Sequence, residues 1–268
     1  MTVKEEIVKR LTGLRYLVPL REGGSLPAIV ETDEPGTYVV KFRGAGQGVK
    51  ALIAELLAAE LALLLGLPVP APAVVDLDAG FGQGEPDPEI QDILRGSVGA
   101  NFGLAYLAGA FAFDPAADRT FDPDLAAAIV WFDAFITNVD RTARNTNLLY
   151  WHGAVSLIDH GASLYFHHRS EGWEKNAHAR FPHIKDHVLL FFAGDIAAAG
   201  ARLVPLLTEA ALRAVVATVP DEWLTGEERF ANPAAYREAY VAYFLARLAA
   251  PRLFEEEARN AAAALRLV

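Results

Sequence analysis

A polar segment between two apolar stretches carries side chains suited to phosphoryl transfer. Asp140 and Asn145 are five residues apart, and a predicted hairpin separates them from Asp159, which stands two residues before Gly161. An aspartate in the position of Asp140 can orient an attacking hydroxyl group and accept its proton. Asn145 and Asp159 offer the hard oxygen ligands that Mg²⁺ prefers, and Gly161 would let the backbone turn sharply after the second ligand.

The same residues also fit ordinary structural roles. Asp140 and Asn145 can cap the ends of a loop, and Asp159 can form a turn. Taken one at a time, these residues do not distinguish the two interpretations. Their order and spacing, considered together, favour a phosphoryl-transfer site.

A lysine near the end of a predicted strand can serve the same chemistry. Lys41 lies in the otherwise apolar strand sequence 38–42, and a helix that carries Glu55 follows. Such a lysine can contact the α- and β-phosphates of ATP while it is paired with a helical glutamate. Glu60 is a rival partner on the same helix, but it is five positions from Glu55, so the two point in different directions. The structural alternative is a solvated lysine at a sheet edge.

Two glycine-containing segments flank these strands. Gly23, Gly24 and Ser25 form a predicted turn whose backbone N–H groups could cover phosphates, although adjacent glycines are also common in plain hairpin turns. Residues 44–48 contain three more glycines but lack the Gly-Lys-Ser/Thr pattern of a Walker sequence. We therefore interpret the second segment as a flexible connection.

The elements that must position these side chains change character along the chain. Hydrophobic patterning predicts a strand-rich first third. Its strands are expected at residues 14–18, 26–31, 37–42, 73–77 and around 103–107. One long helix is expected at 49–65, where Gly66 and two nearby prolines end it, and a polar loop at about 79–89.

The remainder of the chain is predicted to be mainly helical. A strongly apolar helix is expected over 123–137 and a hairpin over 148–151 and 155–158, and four helices should follow residue 186. The order is therefore a small β-rich part with one helix and then a larger helical part, which places the fold in the α+β class.

Composition excludes several other classes of protein. The chain has 268 residues, a formal net charge of −10 and no cysteine. The acidic balance argues against direct nucleic-acid binding, and the lack of cysteine excludes disulfides, thiolate zinc sites and a cysteine nucleophile. The N-terminal sequence lacks the apolar core of a signal peptide, and the longest apolar stretch is too short to span a bilayer. We therefore expect a cytoplasmic protein with no membrane partner.

A cluster of histidines gives a second, metal-binding hypothesis. His183 and His187 are four residues apart, which is the spacing of a helical metal pair. No His-Glu-x-x-His sequence is present, and Pro182 would start the helix there. The sequence favours a zinc site less than it favours the phosphoryl-transfer site.

Three stretches of the chain resemble the HipA-like kinases, a bacterial branch of the protein-kinase-like fold. The first is the strand 38–42, which ends in Lys-Phe. The second runs from 54–56 to 65–70 and is similar to the family's glutamate-bearing helix, which ends in Gly-Leu-x-Val-Pro. The third combines 138–145 with 158–161 and is the most specific.

The resemblance, which spans about residues 15–165, implies a two-lobed protein-kinase-like fold. Residues 1–105 would form an N-lobe with the nucleotide-binding sheet and the helix. Residues 106–268 would form a C-lobe with the catalytic loop and a helical bundle. The adenine of ATP would lie between the lobes, against Tyr106 and Leu107. Because the chain begins almost at the kinase core, we expect a minimal form of the family.

The resemblance also implies site roles and cofactors. Asp140, Lys41 and Glu55 would be the catalytic residues, and the register of the helix relative to its terminal glycine favours Glu55 over its rival. Asn145 and Asp159 would hold Mg²⁺. The expected activity is transfer of a phosphoryl group from ATP to an alcohol group of a protein or a small molecule.

Departures from the family pattern leave two alternatives open. The toxins of the family carry His and Lys inside the catalytic loop, where this chain has Thr142 and Arg144. One alternative is a nucleotide-binding pseudokinase or scaffold. The other is a small-molecule kinase of the aminoglycoside phosphotransferase type, which begins its catalytic loop with His-Gly-Asp, whereas this chain has Asn-Val-Asp.

Overall fold

Five strands close into a barrel in the computed structural model, which describes residues 8–20, 26–117, 120–169 and 173–265. The strands are β1 (Lys9–Pro19), β2 (Ala28–Thr32), β3 (Thr37–Lys41), β4 (Pro72–Leu77) and β5 (Gly99–Ala105). Their order is β1-β2-β3-β5-β4, and a parallel pairing of β1 with β4 closes the barrel. The sequence predicted strands in these places but not the closure. In addition, β1 starts earlier than predicted, and β5 starts and ends earlier than the expected run at 103–107.

An apolar cluster fills the inside of the barrel. Successive side chains of a strand point to opposite faces, so alternate residues of each strand turn inward. In β3 the inward residues are Tyr38 and Val40, and Val30 and Val75 meet them from β2 and β4. The opposite face of β3 therefore carries Val39 and Lys41 to the outside of the barrel.

One long helix packs against the barrel and the helical part. It is α1 (Gly48–Leu64), and eleven of its seventeen residues are buried. Gly66 follows it with a left-handed φ of 71°, a conformation that glycine adopts without steric penalty. The buried face of α1 belongs to the same apolar cluster as Trp131 and Phe135. This helix therefore has a fixed place relative to the helices that follow.

A second helix in the first half was missed by the sequence analysis. It is α2 (Pro88–Arg95), which begins at the end of the segment predicted as a polar loop. The Asp87 side chain accepts a hydrogen bond from the backbone N–H of Glu89, and Pro88 occupies the first turn. Ile90 and Leu94, four residues apart, are buried. The local signals of a capped helix were present but lay inside a stretch rich in glycine, proline and acidic residues.

The helix and hairpin that flank the candidate site agree with the prediction. The helix is α3 (Pro123–Ile136), and it ends at Thr137, which has a left-handed φ of 58°. A short strand β6 (Phe111–Ala112) pairs with the hairpin of β7 (Leu148–Trp151) and β8 (Ala154–Leu157).

The C-terminal part contains four α-helices after residue 186, as predicted. They are α5 (Ile196–Leu203), α6 (Glu209–Ala217), α7 (Pro233–Leu248) and α8 (Leu253–Leu265); the shorter α4 (Trp173–Ala177) precedes them. Among the described residues, a 3-10 turn precedes α4 at Tyr165–His168, and three more lie between the helices at Pro182–Asp186, Val204–Leu206 and Asp221–Trp223. The chain is thus α+β, with a strand-rich N-terminal part and a helical C-terminal part.

Within the described ranges, every helix is too short or too polar to cross a membrane.

The imidazole of His167 is buried in this helical part. Its Nδ1 lies 2.8 Å from the hydroxyl oxygen of Tyr240. Burial holds the pKa of His167 well below its usual value, and the positive charges of His168, Lys50 and Arg229 act in the same direction.

We expect His167 to make the fold sensitive to mild acid. Between its low folded pKa and the unfolded value near 6.5, only the unfolded chain binds this proton, so stability falls as the pH falls. At pH 5 the loss from one such group is at most about 2 kcal/mol of unfolding free energy, because pH 5 lies about 1.5 units below the unfolded pKa. Urea denaturation at pH 7 and pH 5 measures the total loss for the chain, which should be smaller in His167→Asn, whose amide does not titrate in this range.

The exposed His178 provides the control. His178→Gln should lose as much stability between the two pH values as the unmodified chain. Equal losses of stability in His167→Asn and in the unmodified chain would contradict the assignment of this acid sensitivity to His167.

Candidate functional site

A lysine from the barrel lies between two carboxylates that come from different parts of the chain. Lys41, the last residue of β3, forms an ion pair with Oε1 of Glu55 on α1. Its Nζ also lies 2.6 Å from Oδ1 of Asp159, which follows β8. Only 1% of the Glu55 side chain and 13% of the Lys41 side chain are exposed. The barrel, α1 and the hairpin therefore meet at one ammonium group.

The electrostatics of this cluster favour a charged lysine. Burial alone would lower the pKa of Lys41, but the carboxylates of Glu55 and Asp159 raise it above its usual value. Burial would raise the pKa of Asp159, and the Lys41 charge more than offsets this, so the pKa of Asp159 is lowered. Burial keeps the pKa of Glu55 raised, although Lys41 opposes the shift. Lys41 is thus protonated and Asp159 ionised near neutral pH.

The structure distinguishes the two glutamates that the sequence offered as partners of Lys41. Glu55 faces the lysine, and its second oxygen, Oε2, accepts a hydrogen bond of 2.9 Å from the backbone N–H of His160. Glu60 lies five residues further along α1 and is half-buried on another side of the helix. The difference follows from helix geometry, since residues five apart do not share a face.

A second polar cluster forms around Asp140. Its Oδ2 accepts hydrogen bonds from Nδ2 of Asn145, at 2.8 Å, and from Nδ2 of Asn147, at 3.4 Å. The loop is closed by the backbone N–H of Thr142, which donates to the carbonyl oxygen of Asn145 at 2.9 Å. Asp140 and Asn145, predicted to act together, are therefore in contact.

Asn147 links the two clusters, and the sequence analysis did not single it out. Its Nδ2 lies 3.5 Å from the backbone oxygen of Asp159 as well as near Asp140. Asn147 has a left-handed φ of 50°, a conformation that asparagine tolerates better than most residues. The sequence offered one signal that could have identified Asn147: it is an asparagine just before a predicted strand, two positions after Asn145.

The chain turns directly after Asp159, and Gly161 takes part in the turn as predicted. The backbone N–H of Ser163 donates to the carbonyl oxygen of His160 at 2.9 Å, which closes a turn over Gly161. Asp159 itself has a left-handed φ of 55°, whereas Gly161 is not in that region, so the turn does not depend on the conformational freedom of glycine. A Cβ atom at Gly161 would lie 3.0 Å from Oε1 of Glu55, so the backbone passes close to that glutamate.

The remaining predicted nucleotide contacts lie elsewhere or outside the described residues. Tyr106 and Leu107 directly follow β5; Tyr106 is exposed, and its backbone N–H donates to the carbonyl oxygen of Thr37 at 2.9 Å. They lie outside both hydrogen-bonded clusters. Residues 23–25 (Gly23, Gly24 and Ser25) are not among the described residues.

The donor set suits Mg²⁺ more than zinc. Asp159 is an ionised carboxylate, and Asn145 uses its amide nitrogen on Asp140, which turns its oxygen away from that contact. Mg²⁺ commonly takes one or two protein oxygens and completes its shell with phosphate oxygens and water. In the part of the chain that the structure describes, no group of three or more His, Asp or Glu residues could hold a metal ion alone.

The histidine pair does not form a zinc site. Both ring nitrogens of His187 are engaged, Nε2 with Asp133 at 2.8 Å and Nδ1 with the backbone N–H of Leu189 at 3.1 Å. His187 is buried, whereas His183 is exposed. The four-residue spacing does not bring the two rings onto one face because they lie in a 3-10 turn and the residue after it.

Comparisons with known proteins relate the chain to a family and to a fold. The family model for HipA-like kinases matches residues 15–257. A comparison with curated proteins finds no match. Among solved structures, a proinflammatory kinase, CtkA, from Helicobacter pylori has a similar fold, with 11% sequence identity and a TM-score of 0.56 over 97% of this chain and 100% of that chain. The family match confirms the resemblance inferred from the three sequence stretches.

We expect a side chain at residue 161 to disturb the Lys41–Glu55 pair. In Gly161→Ala the new methyl group must displace Oε1 of Glu55, because the two would be 3.0 Å apart. Overpacking of this kind lowers the unfolding free energy by about 1–3 kcal/mol. Urea denaturation measures the change.

Gly46→Ala is a matched control, since a Cβ there meets nothing within 4 Å and its φ is outside the left-handed region. It should change stability by less than about 0.5 kcal/mol. The same loss in both variants would contradict the close approach of Gly161 to Glu55.

Proposed function

The chain belongs to the HipA-like kinase family, and we propose that it is an ATP- and Mg²⁺-dependent phosphotransferase with a two-lobed, protein-kinase-like fold. The observation that carries this proposal is the contact of Lys41 with both Glu55 and Asp159. These three residues are far apart in sequence. A phosphoryl-transfer site needs a lysine for the phosphates, a helical glutamate to hold it, and a carboxylate for the metal ion.

We assign the nucleotide to the boundary between two units of the chain. In this proposal residues 1–105 form the N-lobe and residues 106–268 the C-lobe. The adenine would lie against Tyr106 and Leu107, which follow the last strand of the barrel. The turn at 23–25 would cover the phosphates with its backbone N–H groups.

Lys41, Asn145 and Asp159 would hold the triphosphate and its metal ion. Lys41 would contact the α- and β-phosphates while Glu55 keeps its ammonium group in place. Asp159 and Asn145 would bind Mg²⁺ through their side-chain oxygens. When bound, Mg²⁺ neutralises the charge of the phosphate oxygens.

Asp140 would act on the acceptor alcohol. The two asparagine amides contact its Oδ2, so we assign Oδ1 to the acceptor. Asp140 would orient the hydroxyl group and take its proton while the hydroxyl oxygen bonds to the γ-phosphorus. The bond from that phosphorus to the β,γ-bridging oxygen then breaks, and ADP leaves. The acceptor would be an alcohol group of a protein or of a small molecule.

We expect Mg²⁺-dependent binding of ATP to require the charge of Asp159. A ligand at about 100 times its Kd that binds only the folded state adds about 2.7 kcal/mol to the unfolding free energy. Thermal unfolding with Mg·ATP should show the corresponding rise in Tm, and ATP with a chelator should show a smaller one. In Asp159→Asn the Mg²⁺-dependent part of the rise in Tm should be lost. Asparagine is chosen because it tolerates the left-handed backbone at this position.

The exposed Asp92 on α2 gives the control, because Asp92→Asn removes one negative charge far from the cluster in sequence. This variant should keep the full rise in Tm. A chain that shows no rise with any nucleotide would overturn the proposed function.

We expect Asp140→Asn to separate binding from turnover. The amide keeps the shape of the side chain but cannot accept the acceptor's proton, and loss of a general base lowers kcat by about 10²–10⁴-fold. ADP release from Mg·ATP, with water or an added alcohol as acceptor, measures kcat, and the rise in Tm with Mg·ATP should persist. Nucleotide binding without turnover in the unmodified chain would instead indicate a scaffold.

A further inference from the structure

A network of buried polar side chains lies beneath the loop that carries Asp140. Asp133 contacts Asn138, Arg141 and His187, all of them buried. Arg141 in turn contacts the ring of His160 and the backbone oxygen of Asn147, which are also buried. Charged and polar groups are costly to bury unless each has its partners. The mechanism proposed above uses the charge of none of them, so the network needs a separate explanation.

Arg141 contacts both chain segments that enter and leave the hairpin. One terminal nitrogen, Nη1, donates to the carbonyl oxygen of Asn147, which precedes β7, and lies 3.4 Å from that of Ile158, which follows β8. The other, Nη2, donates to Nε2 of His160 at 3.0 Å. Asp140 directly precedes Arg141, and Asp159 lies between Ile158 and His160. A single guanidinium group therefore contacts the carbonyl oxygen before Asp159 and the His160 ring after it, and it belongs to the residue next to Asp140.

Asp133 holds Arg141 from the opposite side. This residue of α3 is fully buried, and its Oδ2 accepts from Nε of Arg141 at 2.6 Å. Its Oδ1 accepts from Nδ2 of Asn138 at 3.1 Å. Burial alone would raise the pKa of Asp133, but Arg141 and His187 together hold it well below its usual value. The carboxylate is thus ionised, and both of its oxygens accept hydrogen bonds.

His187 brings a distant segment into the same network. Its Nδ1 accepts from the backbone N–H of Leu189, so in the neutral ring Nε2 carries the hydrogen and donates to Asp133 at 2.8 Å. The backbones also pair here, since Thr142 and His187 form a β-bridge and the N–H of Val188 donates to the carbonyl oxygen of Arg141 at 3.1 Å. The segment that follows the 3-10 turn Pro182–Asp186 is thereby fastened to the catalytic loop.

We propose that Asp133, Arg141 and His187 act as one positioning unit that fixes the distance and orientation of Asp140 relative to Asp159. The inference rests on the proposed function, because it assigns Asp140 to the acceptor and Asp159 to the metal ion. None of the three residues touches the reactants. They act through the backbone and side-chain contacts of Arg141, and His187 contributes although it lies 47 residues after Asp140.

A second buried arginine, Arg247, serves as a comparison, because it supports the fold without contacting the loop of Asp140. Arg247 of α7 also binds the end of α3, at the carbonyl oxygens of Phe135 at 2.6 Å and Ala134 at 2.7 Å. It further contacts the carbonyl oxygens of Ala177 and Ala179, each at 3.2 Å. Arg247 is as buried as Arg141, but its partners lie outside the loop and hairpin.

The test compares Arg141→Lys with Arg247→Lys, which keep the charge but lose the planar fork. We expect both to lower Tm. With Mg·ATP as substrate, only Arg141→Lys should lower kcat, by about 10–100-fold, because a small misplacement of reacting groups has effects of this size. KM for ATP should stay within about threefold, since Lys41 and Glu55 are unchanged and the loss falls on the chemical step.

Hydrogen exchange of the ligand-free protein gives a readout that does not depend on activity. Arg141→Lys should accelerate exchange in peptides covering 142–147 and 157–161, which include the His160 amide bound to Glu55. Arg247→Lys should instead accelerate exchange at 177–179. Equal acceleration of the loop peptides in both variants would overturn the proposal, and so would equal kcat values.

Two variants of His187 test the distant contact. His187→Gln keeps an N–H donor that can reach Asp133 and should retain kcat within about threefold, whereas His187→Leu leaves Asp133 short of a donor and should lower kcat about tenfold or more. Equal kcat values in the two variants would remove His187 from the unit. If the unmodified chain shows no turnover, the proposed function fails, and the loop exchange rates alone decide whether the unit positions the two aspartates.

Discussion

The ammonium group of Lys41 lies between the carboxylates of Glu55 and Asp159, and this contact joins three segments that come from different parts of the chain. A buried charge is stable only when its partners are held in place. The residues around the cluster provide this support. Glu55 is held by the backbone N–H of His160, and the space it occupies exists because residue 161 has no side chain. Both halves of the chain therefore contribute groups that stabilise the buried ammonium of Lys41.

The same requirement extends beneath the loop that carries Asp140. Asp133 is the buried carboxylate of the strongly apolar helix α3, and it is ionised because Arg141 and His187 donate to it. Arg141 then uses its remaining donors on the backbone around the hairpin. The result is a continuous path of hydrogen bonds from α1, through His160 and Arg141, to α3. The positions of Asp140 and Asp159 depend on buried partners as well as on the loop itself.

Sequence patterns predicted the parts of this arrangement that depend on local signals. The strand that ends in Lys41, the helix that carries Glu55, and the hairpin before Asp159 all follow from hydrophobic period and turn residues. The closure of the barrel was not predicted, because the parallel pairing of β1 with β4 joins residues far apart in sequence. The contacts of Asn147 were not predicted, and His187 was assigned to a possible metal pair, because the partners of both side chains are set by tertiary contacts. The close approach of Gly161 to Glu55 was not predicted, because the two residues are more than a hundred positions apart in sequence.

The closed barrel has a consequence for how another protein chain can approach this one. Each barrel strand has a hydrogen-bonded neighbour on both sides within the described residues. The pairing of β1 is divided, since residues 9–12 pair with β4 and residues 13–19 pair with β2. An added strand could therefore use only the parts of β1 that are paired on one side. The smaller sheet does have edges, but they are β6, which has two residues, and β8, which has four. Edge strands are the usual template for peptide addition and for self-association into aggregates. Within the described residues, strand addition to this molecule is therefore limited to short stretches of backbone, and a larger contact with another chain would depend on side chains and loops.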